Sequence, residues 1–417
     1  MNDEAAAEGA ALESLAGEEA PPGPSIVGLT RILGALLLAL LFICWPLFNA
    51  RSFPHLGLFS APDIVHTALA ATLALLAVLL LIGAGQRSLL LGTAGVILLS
   101  VLVDELRLQP WAYEIFILLV LFAVVDRRRA LAGSRLYLVG LYIWAGLHKA
   151  NGEFIDRVVP WFAEPFDVEL SASSALVLGL LIIVLETGSG LALLLAPLRR
   201  VAVVLLIGTH LAVLVILGPW GHDWDINVWP WNLVQALLVW MLFWDWRGSG
   251  RVLFAQAPRW LLVLALVLPG FHLVSWWPAN LSHAVYAGNF AQPALLVRPD
   301  RAASVMRGSQ RTYLAPGLPP PVREVLNKVG GPSASQPWAL MRVHDWAVTD
   351  LGATVPPDDQ VARRLFRAFC ARAKDARDVL LVLRPKRRLF HGEDDVIVTG
   401  CDGKEQGRVP LPESWPR

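Results

Sequence analysis

The chain is short of charge and has no basic excess. Only 17% of its 417 residues are Asp, Glu, Lys or Arg, and the formal net charge is +1. Nucleic-acid-binding surfaces depend on clustered Lys and Arg, so this balance gives no support for nucleic acid as a partner. The sequence also lacks an internal repeat, a P-loop, a glycine-rich nucleotide fingerprint and a zinc-spaced set of Cys and His. Nucleotide-dependent and zinc-dependent sites of the common types are therefore not indicated.

The first 25 residues contain no Lys or Arg, although they hold six acidic residues and many alanines. A secretory signal peptide begins with basic residues, so this leader is not one. Its composition is typical of disordered chain. We therefore expect residues 1–25 to be a disordered acidic leader, and the first apolar segment to stay uncleaved.

What the chain does have is apolar sequence. It is 55% hydrophobic with a mean hydropathy of +0.54, and most of its 17 Trp lie near the ends of apolar runs. A helix needs about 17–25 apolar residues to cross a membrane, and Trp collects at both interfaces. The sequence predicts an all-α polytopic membrane bundle. Its spans, about nine, are 26–49, 63–85, 88–103, 110–125, 136–153, 174–196, 201–218, 230–245 and 260–277. The third, fourth and eighth are short.

Arginine-rich loops indicate the orientation of this bundle. Arg clusters in the segments 127–135, 199–200 and 247–259, which lie on one side of a nine-span bundle. Positive residues mark the cytoplasmic side of a membrane protein. We therefore expect a multi-pass protein of the inner or plasma membrane in which everything after residue 278 is extracytoplasmic.

The last part of the chain has a different composition. From about residue 298 charge rises, prolines appear and the apolar runs stop. The pattern predicts a helix over 357–376 and strands over 378–385 and 394–400. A small extracytoplasmic α+β domain, residues 298–417, is thus expected after a transmembrane domain of residues 26–290.

The three cysteines divide between these two parts. Cys44 lies in the first span and is expected to be a small apolar filler. Cys370 and Cys401 lie in the outer domain, where an oxidising compartment permits a disulfide. Two free core thiols are the alternative.

Three ionisable residues stand inside predicted spans: Lys149, Glu186 and His210. From the helical rise, each lies about 15–21 Å from an arginine at the cytoplasmic end. We predict that they share a pocket open to the outer side, because intramembrane charges usually face a cavity or one another. Each also has a structural interpretation. Lys149 can be an interfacial anchor, Glu186 an interhelical hydrogen-bonding group beside Gly188 and Gly190, and His210 a satisfied core imidazole.

The outer loops hold further polar residues. Asp104 and Arg107 are three apart and are expected to pair, and segment 281–289 is expected to pack under the outer domain. Loop 218–232 is rich in Trp, which predicts an interfacial anchor, with a metal site as the alternative. The candidate ligands of such a site would be His222, Asp223 and Asp225. Their spacing matches no specific metal site, and no metal is predicted.

Seven stretches of the sequence resemble one family. The run YIWAGLHK at the outer end of the fifth span carries the resemblance. The other stretches follow in the family's order and are SIVGLTRILGALLL, DELRLQPWAYEI, LETGSGLALLLAPLRR, GTHLAVL, INVWPWNL and HAVYAGN. Over residues 26–290 the chain resembles the vitamin K-dependent gamma-carboxylases and their bacterial relatives with the horizontally transferred transmembrane (HTTM) domain.

The resemblance implies a site. In the carboxylases a lysine of this motif deprotonates reduced vitamin K, and Lys149 occupies the matching position. A desolvated lysine can lose its proton near neutral pH and act as a base. A quinol of the vitamin K type is the implied cofactor, with His148, Glu186 and His210 orienting substrate or relaying protons. The candidates to bind the cofactor are Tyr142, Trp144 and Trp231.

The chain also departs from the carboxylases. His148 stands where they have the first of two adjacent lysines, and the small outer domain does not resemble their large lumenal region. The resemblance therefore implies the membrane superfamily and a lysine base, and it does not carry as far as glutamate carboxylation.

Three functions stay open at this point. The first is a membrane enzyme that uses a quinol or a similar lipid-soluble reductant. The second is a non-catalytic scaffold or assembly module whose outer domain binds a partner. The third, a transporter, lacks the inverted repeat that many transporters have. Besides the bilayer, the expected partner is a lipid-soluble small molecule or a protein substrate at the outer face.

Overall fold

The computed structural model describes residues 23–49, 51–84, 86–307, 309, 313–315, 317–330, 335–387 and 395–412. Within these residues a helical bundle is followed by a small antiparallel sheet. Most of the predicted leader, residues 1–22, lies outside the described residues.

The bundle is built from apolar helices, several of which begin at a polar cap or at a proline. Its helices are α1 (Ile26–Ile43), α2 (Trp45–Phe48), α3 (Asp63–Leu81), α4 (Arg87–Val103), α5 (Pro110–Val124), α6 (Arg127–His148), α7 (Val159–Ala163), α8 (Ala172–Ala192), α9 (Arg199–Leu217), α10 (Val228–Phe243), α11 (Gly250–Gln256) and α12 (Arg259–Leu262). The Ser25 hydroxyl caps the first turn of α1 by accepting from the Gly28 N–H. Pro110 opens α5, at a position where no helical N–H is needed.

Five of these helices are long and apolar enough to cross a membrane: α1, α3, α6, α8 and α9, with 18 to 22 residues each. The helices at the third, fourth and eighth predicted spans, α4, α5 and α10, have only 17, 15 and 16 residues. The last predicted span, 260–277, corresponds to Arg259–Val274, which is not one of the five candidate spans and meets Gly250–Gln256 at 118°. Pro258 separates the two parts, and proline cannot continue a helix. An integral membrane protein with several spans is thus supported, and nine spans are not confirmed.

Helix α6 is the centre of the bundle. It has the largest share of buried residues among the five candidate spans (78%), whereas most residues of α8 and α9 are not buried (22% and 28% buried). Asp126 caps its start, because a carboxylate oxygen accepts from the Arg129 N–H at 3.1 Å. Gly140 lets the segment after α12 approach closely, since a Cβ there would lie 3.2 Å from the Cβ of Ala265. The predicted reactive residues at the end of α6 are therefore held by a packed element.

The C-terminal region forms a five-stranded antiparallel sheet with the order β2-β1-β3-β4-β5. Its strands are β1 (Gln292–Val297), β2 (Ala339–Met341), β3 (Val379–Arg384), β4 (Asp395–Gly400) and β5 (Glu405–Pro410). Its helices are α13 (Ala302–Val305), α14 (Pro320–Val329), α15 (Val343–Leu351) and α16 (Asp359–Cys370). The predicted strands 378–385 and 394–400 correspond to β3 and β4, and the predicted helix corresponds to α16, which ends earlier. β1 lies before residue 298.

The two faces of the sheet pack on different helices. In β3 the alternating residues Leu380 and Val382 belong to a cluster with Val325 of α14, whereas Leu381 belongs with Phe369 of α16 to the main core. Successive strand side chains point to opposite faces, so the apolar run of β3 is explained by burial on both sides.

Cys370, at the end of α16, forms a disulfide with Cys401, which follows β4. The bond ties one covering helix to the sheet across 31 residues. Cys44 is free and buried, and its thiol lies 3.2 Å from the carbonyl oxygen of Gly352.

The arginine loops meet at one end of the bundle. The Arg199 guanidinium donates to the carbonyl oxygens of Trp246 and Gly248 at 2.6 and 2.7 Å. It also lies over the Trp246 ring, where Arg135 of α6 lies as well. The C-terminal sheet and its helices, which we call the outer domain after their predicted side of the membrane, lie at the other end of α6, where Lys386 contacts His272 beside His148. The compartment that each end faces stays a prediction from the arginines.

Candidate functional site

The end of α6 is organised by Asn151. Its side-chain amide donates to the carbonyl oxygens of His148 and Ala287, each at 2.8 Å. Its side-chain oxygen accepts from the Phe154 N–H at 3.0 Å. The last carbonyls of a helix need partners from outside the helix. Asn151 supplies one and starts the next helical segment, which fixes the position of Lys149 between them.

Lys149 and Glu186 form a buried ion pair. The Nζ atom of Lys149 lies 2.7 Å from Oε2 of Glu186 and donates to the carbonyl oxygen of Ala145 at 3.1 Å. The two side chains are 7% and 12% exposed. A charge inside a membrane is costly unless an opposite charge lies beside it. Of the three residues predicted to share a pocket, these two are in contact.

Glycines allow this contact between α6 and α8. A Cβ on Gly146 would lie 2.7 Å from the backbone nitrogen of Thr187, and one on Gly190 would lie 3.0 Å from that of Ile143. Gly188, also expected to permit close contact, has no atom within 4 Å of such a Cβ. Small residues let membrane helices approach closely, and here they bring Glu186 to Lys149.

His210 takes part in a different hydrogen-bonded group. Its ring nitrogens lie 2.8 Å from the Tyr142 hydroxyl and 2.8 Å from Oδ1 of Asn232. Tyr142 also packs against α8, since a Cβ on Gly190 would lie 3.0 Å from the Cβ of Tyr142. Among the described residues no hydrogen bond or ion pair joins His210 to Lys149 or Glu186.

His148 and Trp144 face the broken segment after α12. Their rings stack at 5.4 Å between centroids, and His148 meets the His272 ring edge-on at 4.9 Å. The indole of Trp144 donates to the carbonyl oxygen of Leu266 at 3.1 Å. Lys386 of the outer domain donates to the carbonyl oxygen of His272. His148 thus belongs to a junction with the outer domain rather than to the pair beside it.

Trp231 contacts a residue that sequence reasoning missed. Its indole N–H donates to Oε2 of Glu114 at 2.7 Å, and the Gln235 amide donates to the same oxygen. Glu114 is buried in α5, and its other oxygen has no partner among the described residues. The signal was visible as a lone glutamate in the apolar run PWAYEIFILL. No sequence pattern distinguishes Lys386 from other lysines of the C-terminal region, and only its burial in the structure does so.

A cleft of about 1020 Å³ separates the outer ends of the bundle from the outer domain. We call it the junction cleft. Trp231 lines it, and the other six predicted site residues do not. The two sides are tied together beside it by a buried ion pair between Arg384 and Glu153 at 2.7 Å. Asn227 and Gln109 donate to outer-domain carbonyl oxygens at 2.8 and 3.0 Å. Segments on both sides form its walls, among them 109–111, 224–228 and 340–345.

The polar outer loops are structural in most of their contacts. His222 stacks on Trp161 at 4.0 Å, and its Nε2 atom lies 2.7 Å from the Trp161 carbonyl oxygen. No group of three or more potential metal ligands occurs among the described residues.

Asp104 and Arg107 form the expected ion pair at 3.8 Å. Segment 281–289 contacts the outer domain as expected, since Asn289 exchanges two hydrogen bonds with the Arg387 backbone.

Two groups of this outer region have strongly shifted pKa values. Burial raises the pKa of Asp225 to about 7, although Tyr286 and Asn227 donate to its carboxylate. Burial lowers the pKa of Lys386 to about 7, although the charges of Asp358 and Asp359 act in the opposite direction. Both groups therefore change charge near neutral pH, which is unusual for their residue types.

No known protein family, curated protein or solved structure matches this chain.

Proposed function

We propose that this protein is a membrane enzyme of the HTTM and gamma-carboxylase type, in which Lys149 removes a proton from a lipid-soluble quinol. The observation that carries the proposal is the buried Lys149–Glu186 pair, 2.7 Å between Nζ and Oε2, at the end of the most buried helix. The resemblance of YIWAGLHK to the carboxylase motif supports the same residue. Glutamate carboxylation is not part of the proposal.

The position of the pair suits a substrate that arrives from the lipid. Most residues of α8 are not buried, and Val184, two residues before Glu186, is among the exposed ones. Leu147, two residues before Lys149, is also exposed. A quinol dissolved in the bilayer can therefore contact this helix pair within one helical turn of Lys149 and Glu186.

The residues beside the pair fit a hydroxyl-bearing ring. A bound quinol would supply an acidic hydroxyl and reducing equivalents. The hydroxyls of Thr187 and Ser189, which follow Glu186 on α8, are buried and have no partner among the described residues. They are available to bind such a group, with Lys149 and Glu186 as the polar residues facing it. Tyr142, Trp144 and Trp231 each already donate or accept within the protein, so their part is to hold the surroundings.

Glu186 gives Lys149 a route to the neutral amine. In a medium of low dielectric, an ion pair and the corresponding neutral pair are closer in free energy than they are in water. Transfer of the shared proton from Nζ to Oε2 leaves a lone pair on Lys149. The amine then accepts the proton of the substrate hydroxyl, and Glu186 keeps the proton that it took from Lys149.

The test measures oxidation of a reduced short-chain naphthoquinone by dissolved oxygen, with the full chain in lipid nanodiscs as the catalyst; the quinol gives two electrons and two protons to O2, which forms hydrogen peroxide. We expect Lys149→Gln to lower the rate by about 100-fold or more, the range for loss of a general base. Glu186→Gln should lower it as well and change its pH dependence, because the amine loses its proton acceptor.

Lys328→Gln, at an exposed lysine of α14, is the matched control and should keep the full rate. The proposal is wrong if the wild-type chain oxidises the probe no faster than empty nanodiscs, or if Lys149→Gln retains the rate. A scaffold would then be the better interpretation, with the docked outer domain as its binding part.

A further inference from the structure

Asp225 is a buried carboxylate without a cation. It is 5% exposed and lines the junction cleft. Its two oxygens accept from Asn227 at 2.6 Å and from the Tyr286 hydroxyl at 3.2 Å, both neutral donors. No Lys, Arg or His of the described residues forms an ion pair with it. A buried carboxylate that lacks a cation is costly, and such groups often serve a ligand.

Three aromatic rings in contact with one another line the cleft together with this carboxylate. Trp161, Trp224 and Tyr286 line the same cleft, with ring centroids 5.6 to 6.4 Å apart. The faces of such rings attract ammonium groups. Asp225 follows Trp224 directly and has a positive φ of 54°, a backbone conformation that is costly for a residue other than glycine.

We propose that the junction cleft binds an organic amine, with its ammonium group on Asp225 against the Trp161, Trp224 and Tyr286 rings. The remaining wall favours the same charge. Asp156, Glu164 and Asp358 line it, whereas its two arginines, Arg157 and Arg342, lie beside the carboxylates of Glu153 and Asp345. The volume of about 1020 Å³ is sufficient for a small amine or for a lysine within a peptide.

The test measures binding of the fluorescent amine dansylcadaverine to the full chain in nanodiscs by fluorescence anisotropy. We expect saturable binding that Asp225→Asn weakens at least tenfold, since the isosteric amide keeps the shape and removes the charge. Asp245→Asn removes the same charge at an exposed residue that does not line the cleft; it is the control and should change the affinity less than twofold. The N-acetylated probe, which has no charge, should not bind.

Competition distinguishes two sources of the amine. Displacement by spermidine indicates a free polyamine, and displacement by a capped tripeptide with one lysine indicates a peptide; either result supports the site. The inference is overturned if neither competitor displaces the probe, if the acetylated probe binds equally, or if Asp225→Asn binds as the wild type does. Binding is measured without turnover, so the result is independent of the proposed activity.

Discussion

Buried ionisable side chains near the C-terminal domain have two different kinds of direct partner. One kind is an opposite charge, which makes an ion pair tolerable in a medium of low dielectric. The other is a neutral hydrogen-bonding group, which satisfies the hydrogen bond and leaves the charge without an ion-pair partner in contact. Lys149 with Glu186 and Glu153 with Arg384 are of the first kind. Asp225 with Tyr286 and Lys386 with the His272 carbonyl are of the second.

Lys386 gives a prediction on pH. Burial lowers its pKa to about 7, so between pH 7 and about 10.4 the folded protein binds fewer protons at this site than the unfolded chain. The free energy of unfolding should therefore rise with pH over this range, by up to about 1.4 kcal/mol per pH unit.

The measurement is thermal unfolding of the wild type and of Lys386→Met at pH 7, 8 and 9. The two proteins share every other titrating group, including His148, His272, Asp358 and Asp359 around the amine. The difference between their curves isolates Lys386. Parallel curves would show that the amine is not desolvated as described.

At the scale of the helices, the contact between α6 and α8 determines whether Lys149 and Glu186 can form their ion pair. Both helices follow from apolar runs in the sequence, and Lys149 and Glu186 were singled out from it. Their meeting depends on Gly146, where the helix backbones approach, and on Asn151, which ends α6 at the right residue. Neither requirement leaves a periodic signal, because each concerns a contact with a distant part of the chain.

Gly146→Ala should destabilise the protein. The added Cβ would lie 2.7 Å from the Thr187 nitrogen and 3.0 Å from the Ile183 carbonyl oxygen, which is backbone and cannot rotate away. Overpacking of this kind costs about 1–3 kcal/mol. Thermal unfolding in nanodiscs, followed by Trp fluorescence, measures it.

Gly188→Ala is the matched control on the facing helix, since no atom lies within 4 Å of its added Cβ. It should be neutral or slightly stabilising, because alanine favours helix over glycine. Equal melting temperatures for the two variants would contradict the close approach of α6 and α8.

At the scale of the whole molecule, the outer domain is docked on the bundle through polar contacts that enclose the junction cleft. Arg384 of β3 reaches Glu153, Arg364 of α16 reaches Glu105, and Arg372 donates to the Ser52 carbonyl oxygen at 2.9 Å. The sequence predicts β3, β4 and α16 from short-range patterns. It does not predict β1, β2 or β5, because β2 is very short and β5 is polar and mostly exposed.

Docking should depend on the buried pair. After Arg384→Met, the buried Glu153 has one remaining ion-pair partner among the described residues. This partner is Arg157, which lies 3.3 Å away and is partly exposed. Removing one partner of a buried pair costs about 3–5 kcal/mol. Thermal unfolding and the rate of proteolytic release of the outer domain measure the loss. Lys328→Met, in an exposed pair of the same domain, should cost less than about 1 kcal/mol. Similar effects of both variants would mean that the pair does not hold the domain.

The sequence by itself determined the elements whose information is local. Apolar runs of sufficient length specify α1, α3, α6, α8 and α9 as candidate spans. A helix can cross a bilayer if it is long and apolar enough, whichever helices pack beside it. The same local information identified Lys149, Glu186 and His210 as residues out of place in lipid.

The tertiary structure alone decided which of these residues meet. Lys149 forms an ion pair with Glu186, whereas His210 is hydrogen-bonded to Tyr142 and Asn232. Asp225 is buried at a cleft whose walls are segments more than 100 residues apart in the chain. Burial and partnership depend on contacts between distant parts of the chain. A charge in the sequence therefore shows that a partner is needed, and only the packed structure shows which one it has.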